Sequence, residues 1–118
     1  MDIKQEVTKM DATVTQGDIV NAVKNHFADS ATTSDYGDVA GTTTKSQMVE
    51  KMEGFAGAIG QVNGITHHHS IVDSNLSASE FTFDFDMKDG SKVFWHEIIR
   101  RVWNADGKVV QEEYFNAQ

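Results

Sequence analysis

The chain contains no cysteine, which excludes disulfides, thiol nucleophiles and thiolate metal sites together. Positive charge is scarce. Ten lysines and arginines stand against eighteen aspartates and glutamates, a formal net charge of −8. A surface of that sign favours solubility and repels phosphate, so nucleic acid is not an expected partner. Long apolar runs are also lacking, and no segment reads as a membrane span. The opening Met1-Asp2-Ile3-Lys4-Gln5-Glu6 is charged and leads into no apolar stretch of the secretory kind, so the expected setting is the cytoplasm. What is present is ordinary for a globular protein. The 118 residues, 39% hydrophobic and 24% charged, suit one domain over 1–118 with a core of its own.

Helical periodicity comes first. Ile3, Val7, Met10 and Val14 form a one-sided stripe, with Lys4, Glu6, Lys9 and Asp11 read as lying off it. Gly17 ends that helix and Asp18 caps a second, whose apolar side holds Ile19, Val20, Val23 and Phe27. Residues 29–37 are small, β-branched and polar, and predict a short strand running into a turn. Thr44 and Gln47 fit a capping box for a third helix from Lys45, which glycines weaken before Gln61. The period then switches to two, and strands are predicted at roughly 62–73, 79–87, 92–103 and 108–116. Their turns fall at Ser74-Asn75, Asp89-Gly90 and Asp106-Gly107. In 92–103 both faces are apolar: Trp95, Ile99 and Trp103 on one, Phe94, Ile98 and Val102 on the other. A central strand covered on both sides accounts for that pattern. Helices followed by an antiparallel meander make an α+β fold.

The order helix, helix, short strand, helix and curved four-stranded meander resembles the cone-shaped, cystatin-like fold of the nuclear transport factor two-like superfamily. Two stretches sharpen the resemblance. Gln16-Gly17-Asp18, eight residues of helix, then Phe27-Ala28-Asp29-Ser30-Ala31 is similar to the opening motif of ketosteroid isomerases and SnoaL-like polyketide cyclases. Arg101-Val102-Trp103-Asn104-Ala105-Asp106-Gly107-Lys108-Val109-Val110, with Glu113-Tyr114-Phe115 after it, is similar to their closing hairpin. The resemblance spans nearly the whole chain. It implies three N-terminal helices packed on a curved antiparallel sheet, with one apolar pocket between them. It also implies no cofactor and no metal.

The same resemblance assigns residues. The isomerase base lies eight residues after the motif's first phenylalanine, which falls on Asp35. The isomerases' two oxyanion donors fall near Met10 and Ile99, neither of which can donate, so classical steroid isomerisation is not expected. The strand face shared with Ile99 points inward and carries Trp95, Glu97, Arg101 and Trp103, joined by Glu112 and Tyr114 of the last strand. Trp95, Glu97, Arg101, Trp103 and Tyr114 are thereby the expected ligand-binding residues. The alternative is that both tryptophans are core and that Glu97 and Arg101 form an ion pair.

His67, His68 and His69 form the most conspicuous run. Strand alternation puts His67 and His69 on one face and His68 on the other, so His67 or His69 is the expected acid–base assistant to Asp35. A metal there is not expected, and the Asp84, Asp86, Asp89 and Gly90 spacing fails the calcium-loop pattern. Two functions stay open. One is a proton-transfer lyase, isomerase or cyclase acting on a hydrophobic carbonyl compound. The other is a non-catalytic small-ligand-binding or dimerisation module of the same fold. The second apolar face, Phe94, Ile98 and Val102, predicts a homodimer through the outer side of the sheet.

Overall fold

The computed structural model describes residues 2–35 and 42–117 of the chain. Helix α1 (Ile3–Thr15) is capped by Asp2, whose carboxylate accepts from the Lys4 amide at 3.0 Å. It buries Val7, Met10 and Val14 as the stripe requires, and Gly17 closes it at φ +85°, a backbone state that favours glycine. Asp18 caps helix α2 (Ile19–His26) by accepting from Asn21. Phe27 is not in that helix, as its spacing had suggested. It sits at φ −88°, ψ 138° and opens strand β1 (Phe27–Asp35), two residues earlier than expected. Its ring is 2% exposed, and that burial against the sheet outweighs the weak preference of one more helical turn. The far end of the predicted strand and turn, Tyr36 and Gly37, lies outside the described residues.

A two-residue strand, β2 (Thr43–Thr44), pairs antiparallel with β1 and had no sequence signal. Thr44 then forms the expected capping box with Gln47, which starts helix α3 (Lys45–Ala58). The helix stops before Gln61, and strand β3 (Ile59–Asp73) follows directly. Strands β4 (Leu76–Met87), β5 (Lys92–Trp103) and β6 (Val109–Asn116) complete an antiparallel meander. The six strands form one sheet in the order β2-β1-β6-β5-β4-β3.

The sheet is mixed rather than wholly antiparallel, because β1 runs parallel to β6, with Asp35 opposite Tyr114. Pairing at that sequence distance leaves no local pattern, so only the folded chain reveals it. The pairing matters for function, because it sets the end of β1 beside the last strand.

Phe81, Phe83 and Phe85 of β4, Ile99 and Trp103 of β5 and Val109 of β6 pack beneath Val7, Met10, Val14, Ala22, Val23 and Met48. Fully burying each such side chain contributes about 1.5–3 kcal/mol. The other face of β5 differs from expectation. Phe94 is 55% exposed and Ile98 38%, so the chain covers its central strand on one side only. Among the described residues no helix is long and apolar enough to cross a membrane.

Candidate functional site

A cavity of about 410 Å³ lies between the helices and the inner face of the sheet. The helical wall comes from Met10 and Val14 of α1, Val23 of α2, and Met48, Met52 and Phe55 of α3. Their positions follow from helix periodicity, since each stripe must face the sheet. Phe83, Phe85 and Ile99 form the sheet wall. At the rim Trp95 stacks on Phe55 with ring centroids 5.4 Å apart and planes at 17°, and Phe55 meets Phe85 edge-on at 5.7 Å. Size and lining suit a small, largely apolar molecule.

Polar groups enter this apolar space in two places. At the mouth, Asp35 at the end of β1 lies 3.7 Å from Lys51 Nζ on α3, both side chains being about half exposed. Glu97, Arg101, Glu112 and Tyr114 enter from β5 and β6, where the register sets Arg101 opposite Glu112 and Ile99 opposite Tyr114.

Arg101 is wholly buried and is held by two carboxylates. Its Nη1 donates to Asp11 Oδ1 at 2.7 Å and to Ser79 Oγ at 3.3 Å, and its Nε donates to Glu112 Oε2 at 2.8 Å. Ser79 and Ser70 both donate to Asp11 Oδ2, at 2.8 and 2.7 Å. The Tyr114 hydroxyl donates to Glu112 Oε1. Burial pulls the guanidinium towards its neutral form, but the Glu112 and Asp11 charges and hydrogen bonds outweigh it and leave it above its ordinary value. Burial first, and then the Glu112 carboxylate, holds the Tyr114 phenol well above its ordinary value. Tyr114 is therefore a neutral phenol, its proton committed to Glu112. A buried charged group of this kind is tolerated only while its partners remain, and losing one partner costs about 3–5 kcal/mol. Among the described residues two buried side-chain atoms, Arg101 Nη2 and Ser34 Oγ, have no hydrogen-bond partner.

The structure brings Asp35, Trp95, Glu97, Arg101 and Tyr114 to the border of this cavity. Trp103, expected among them, is elsewhere. It is 2% exposed in the core, its Nε1 donating to Ser77 Oγ at 2.9 Å. Two residues beyond Arg101 at the end of β5, it packs into the core instead of bordering the cavity.

His67 and His69 do not border the cavity, nor do they share a face. A bulge at His68 pairs His67 with Phe81 but His69 with Glu80, so the extra residue sends His69 to the outer side. His67 stays on the inner side, Nε2 2.6 Å from Ser70 Oγ and 3.5 Å from Asp11 Oδ2 of α1. His68 lies 2.7 Å from Thr82 Oγ1 and packs edge-on against His96.

Sequence reasoning missed Asp11, taken as off the stripe but 2% exposed. The signal was there. Asp11 lies four residues after Val7 and three before Val14, hence on the buried arc itself. Nothing local marked Lys51, Ser70 or Ser79.

No family model matches the chain, and no curated protein matches it. Solved structures do. A protein assigned as a SnoaL-like polyketide cyclase from Mesorhizobium loti superposes with a TM-score of 0.81 at 22% identity, over 98% of this chain and 99% of that one. A nuclear transport factor two-like protein from Burkholderia pseudomallei gives 0.76 at 12% identity, over 98% and 92%. A protein from Catenulispora acidiphila with a ketosteroid isomerase-like fold, in complex with trimethylamine, gives 0.73 at 17% identity, over 93% and 83%. This chain has the α+β fold those proteins share. At such identities the likeness is one of architecture, and chemistry has to be argued from the site.

Proposed function

We propose that the chain takes a small hydrophobic carbonyl compound into the cavity and that Asp35 transfers a proton on it. The observation that carries this reading is the arrangement of the cavity, apolar on its walls with a carboxylate at its mouth. The Catenulispora acidiphila protein of the same fold holds a small molecule, trimethylamine, which supports a ligand site in this architecture. In the proposed step the C–H bond next to the carbonyl breaks. Its proton passes to the Asp35 carboxylate, and the electron pair moves onto the carbonyl oxygen. In a β,γ-unsaturated substrate the enolate extends over the C=C bond, so returning the proton to the γ-carbon shifts the double bond into conjugation and regenerates Asp35. Positioned acid–base groups of this kind typically contribute about 10²–10⁴-fold. Lys51 Nζ, 3.7 Å from the Asp35 carboxylate, sits beside the proposed base at the mouth. The sequence-based assistant, His67 or His69, has no place in this step, because neither borders the cavity.

The test is Asp35→Asn on whichever carbonyl compound co-purifies with the protein. Turnover should fall about a hundredfold or more with binding retained. Unchanged turnover would leave Asp35 as a residue of the strand end. The pairing of Asp35 with Lys51 and its open position favour a second reading, a binding module of the same shape. That reading takes over if the captured compound binds but is never converted.

We also propose that two copies associate through the outer sheet face. Phe94 and Ile98 lie open there, with half-buried Val102 in the same row. The polar side chains around them are paired within the chain: His96 with Glu80 at 2.6 Å, Arg100 with Glu113 at 2.9 Å, Lys92 with Asp86 at 3.1 Å. A second copy can therefore cover the row without burying an unpaired charge.

A further inference from the structure

We infer that the Lys51 ammonium receives the carbonyl oxygen of the ligand, so that base and charge acceptor stand side by side at the cavity mouth. The inference rests on the proton-transfer reading above and names the residue that holds the charge this reaction creates. Breaking the C–H bond sends an electron pair onto the carbonyl oxygen. Among apolar walls that oxygen needs a hydrogen-bond donor, and a charged donor serves it better than a neutral one.

Among the described residues, four side chains that border the cavity carry an N–H or O–H: Lys51, Trp95, Arg101 and Tyr114. Arg101 is wholly buried, and its Nη1 and Nε are held by Asp11, Ser79 and Glu112, so a ligand does not touch it. The Tyr114 hydroxyl is spent on Glu112. Trp95 offers a neutral indole N–H, on a ring stacked against Phe55 at the rim. Of the four, Lys51 alone combines a charge with access. Its side chain is 53% exposed, and it makes no hydrogen bond to a described residue.

The helix presents this lysine to the cavity. Met48, Lys51, Met52 and Phe55 stand at i, i+3, i+4 and i+7, hence on one face of α3, the face that walls the cavity. Glu50 and Glu53 lie off that face and do not border the cavity.

The distance to Asp35 fits the task. At 3.7 Å, Nζ and Oδ2 attract each other without a direct hydrogen bond, whose N···O distance is about 2.7–3.2 Å. Exposed pairs of this kind contribute little to stability, so ligand atoms enter beside them at small cost. A carbonyl oxygen and the neighbouring carbon lie about 2.4 Å apart, given bond lengths of ~1.23 and ~1.52 Å. One ligand can therefore set its oxygen on Lys51 and its C–H on Asp35 together.

The test compares 2-acetylnaphthalene with 2-isopropylnaphthalene, which has a similar shape but no oxygen, on the full chain. By calorimetry the ketone should bind the unsubstituted protein about three- to tenfold more tightly, as for one hydrogen bond exchanged against water. Lys51→Met keeps an unbranched, helix-compatible side chain and removes the ammonium, and circular dichroism should show it folded. Its ketone-to-hydrocarbon ratio should fall to near one, with hydrocarbon binding retained. Exchange of the ketone's methyl protons in D2O, followed by NMR, gives a second readout. Lys51→Met should slow it at least about tenfold, and Asp35→Asn about a hundredfold or more. A lysine that served only as the ion-pair partner of Asp35 would leave both readouts unchanged on its removal. A ratio or an exchange rate unchanged in Lys51→Met, or no preference for the ketone in the unsubstituted protein, overturns this inference while the cavity reading stands. Binding of neither naphthalene removes the cavity reading as well. No exchange by a protein that binds the ketone removes the proton-transfer reading, and the charge-acceptor role with it.

Discussion

Tyr114 shows how far one residue's chemistry is set by its place in the fold. An exposed tyrosine loses its proton near pH ~10. Here burial, and then the neighbouring Glu112 carboxylate, hold the proton more tightly in the folded chain. As pH climbs past the ordinary value, the unfolded chain releases that proton first and binds fewer protons than the folded one. Stability must therefore fall with rising pH in that window, the contribution being complete below it. The thermal midpoint, followed by circular dichroism from about pH 9 to about pH 11, should drop more in the unsubstituted protein than in Tyr114→Phe. Equal drops would contradict the burial described. Tyr114, Arg101 and Glu97 were legible as pocket residues because strand parity is strict once one residue's face is known. Asp11 was not, because an acidic side chain was assumed to seek water, whereas Arg101, 90 residues further along the chain, repays its burial.

At the scale of elements, caps and turns were the most legible features, since their chemistry is local. The Thr44–Gln47 capping box is present as expected, with Gln47 Oε1 accepting from the Thr44 amide at 3.0 Å. It holds the start of α3, the helix that contributes Met48, Lys51, Met52 and Phe55 to the cavity. Thr44→Ala should lower stability in urea by about 0.5–2 kcal/mol and loosen that wall. A variant as stable as the parent would show that packing alone holds the helix. Strand irregularity was the least legible. The bulge at His68 is one extra residue with no distinctive side chain, yet it reverses the facing of His69 and separates the two histidines that alternation had joined.

For the whole molecule, the testable consequence is association. Light scattering at micromolar concentration should give twice the chain mass, and Ile98→Glu, placing a charge in the middle of the exposed row, should give a folded monomer. A monomeric parent protein would sink the proposal. The sequence alone carried the α+β class, the three helices, the four long strands and the alternation of faces along each strand. Each of these depends on a period or a cap within a few residues, where backbone geometry leaves little choice. Tertiary structure decided the rest. The parallel pairing of β1 with β6 sets Asp35 beside Tyr114, and α1 crossing the sheet sets Asp11 against Arg101. Core packing and the hydrogen bond to Ser77 hold Trp103 away from the cavity that Trp95 borders. All three depend on contacts between residues distant in the chain, whose burial and charge compensation exist only once the sheet has closed under the helices.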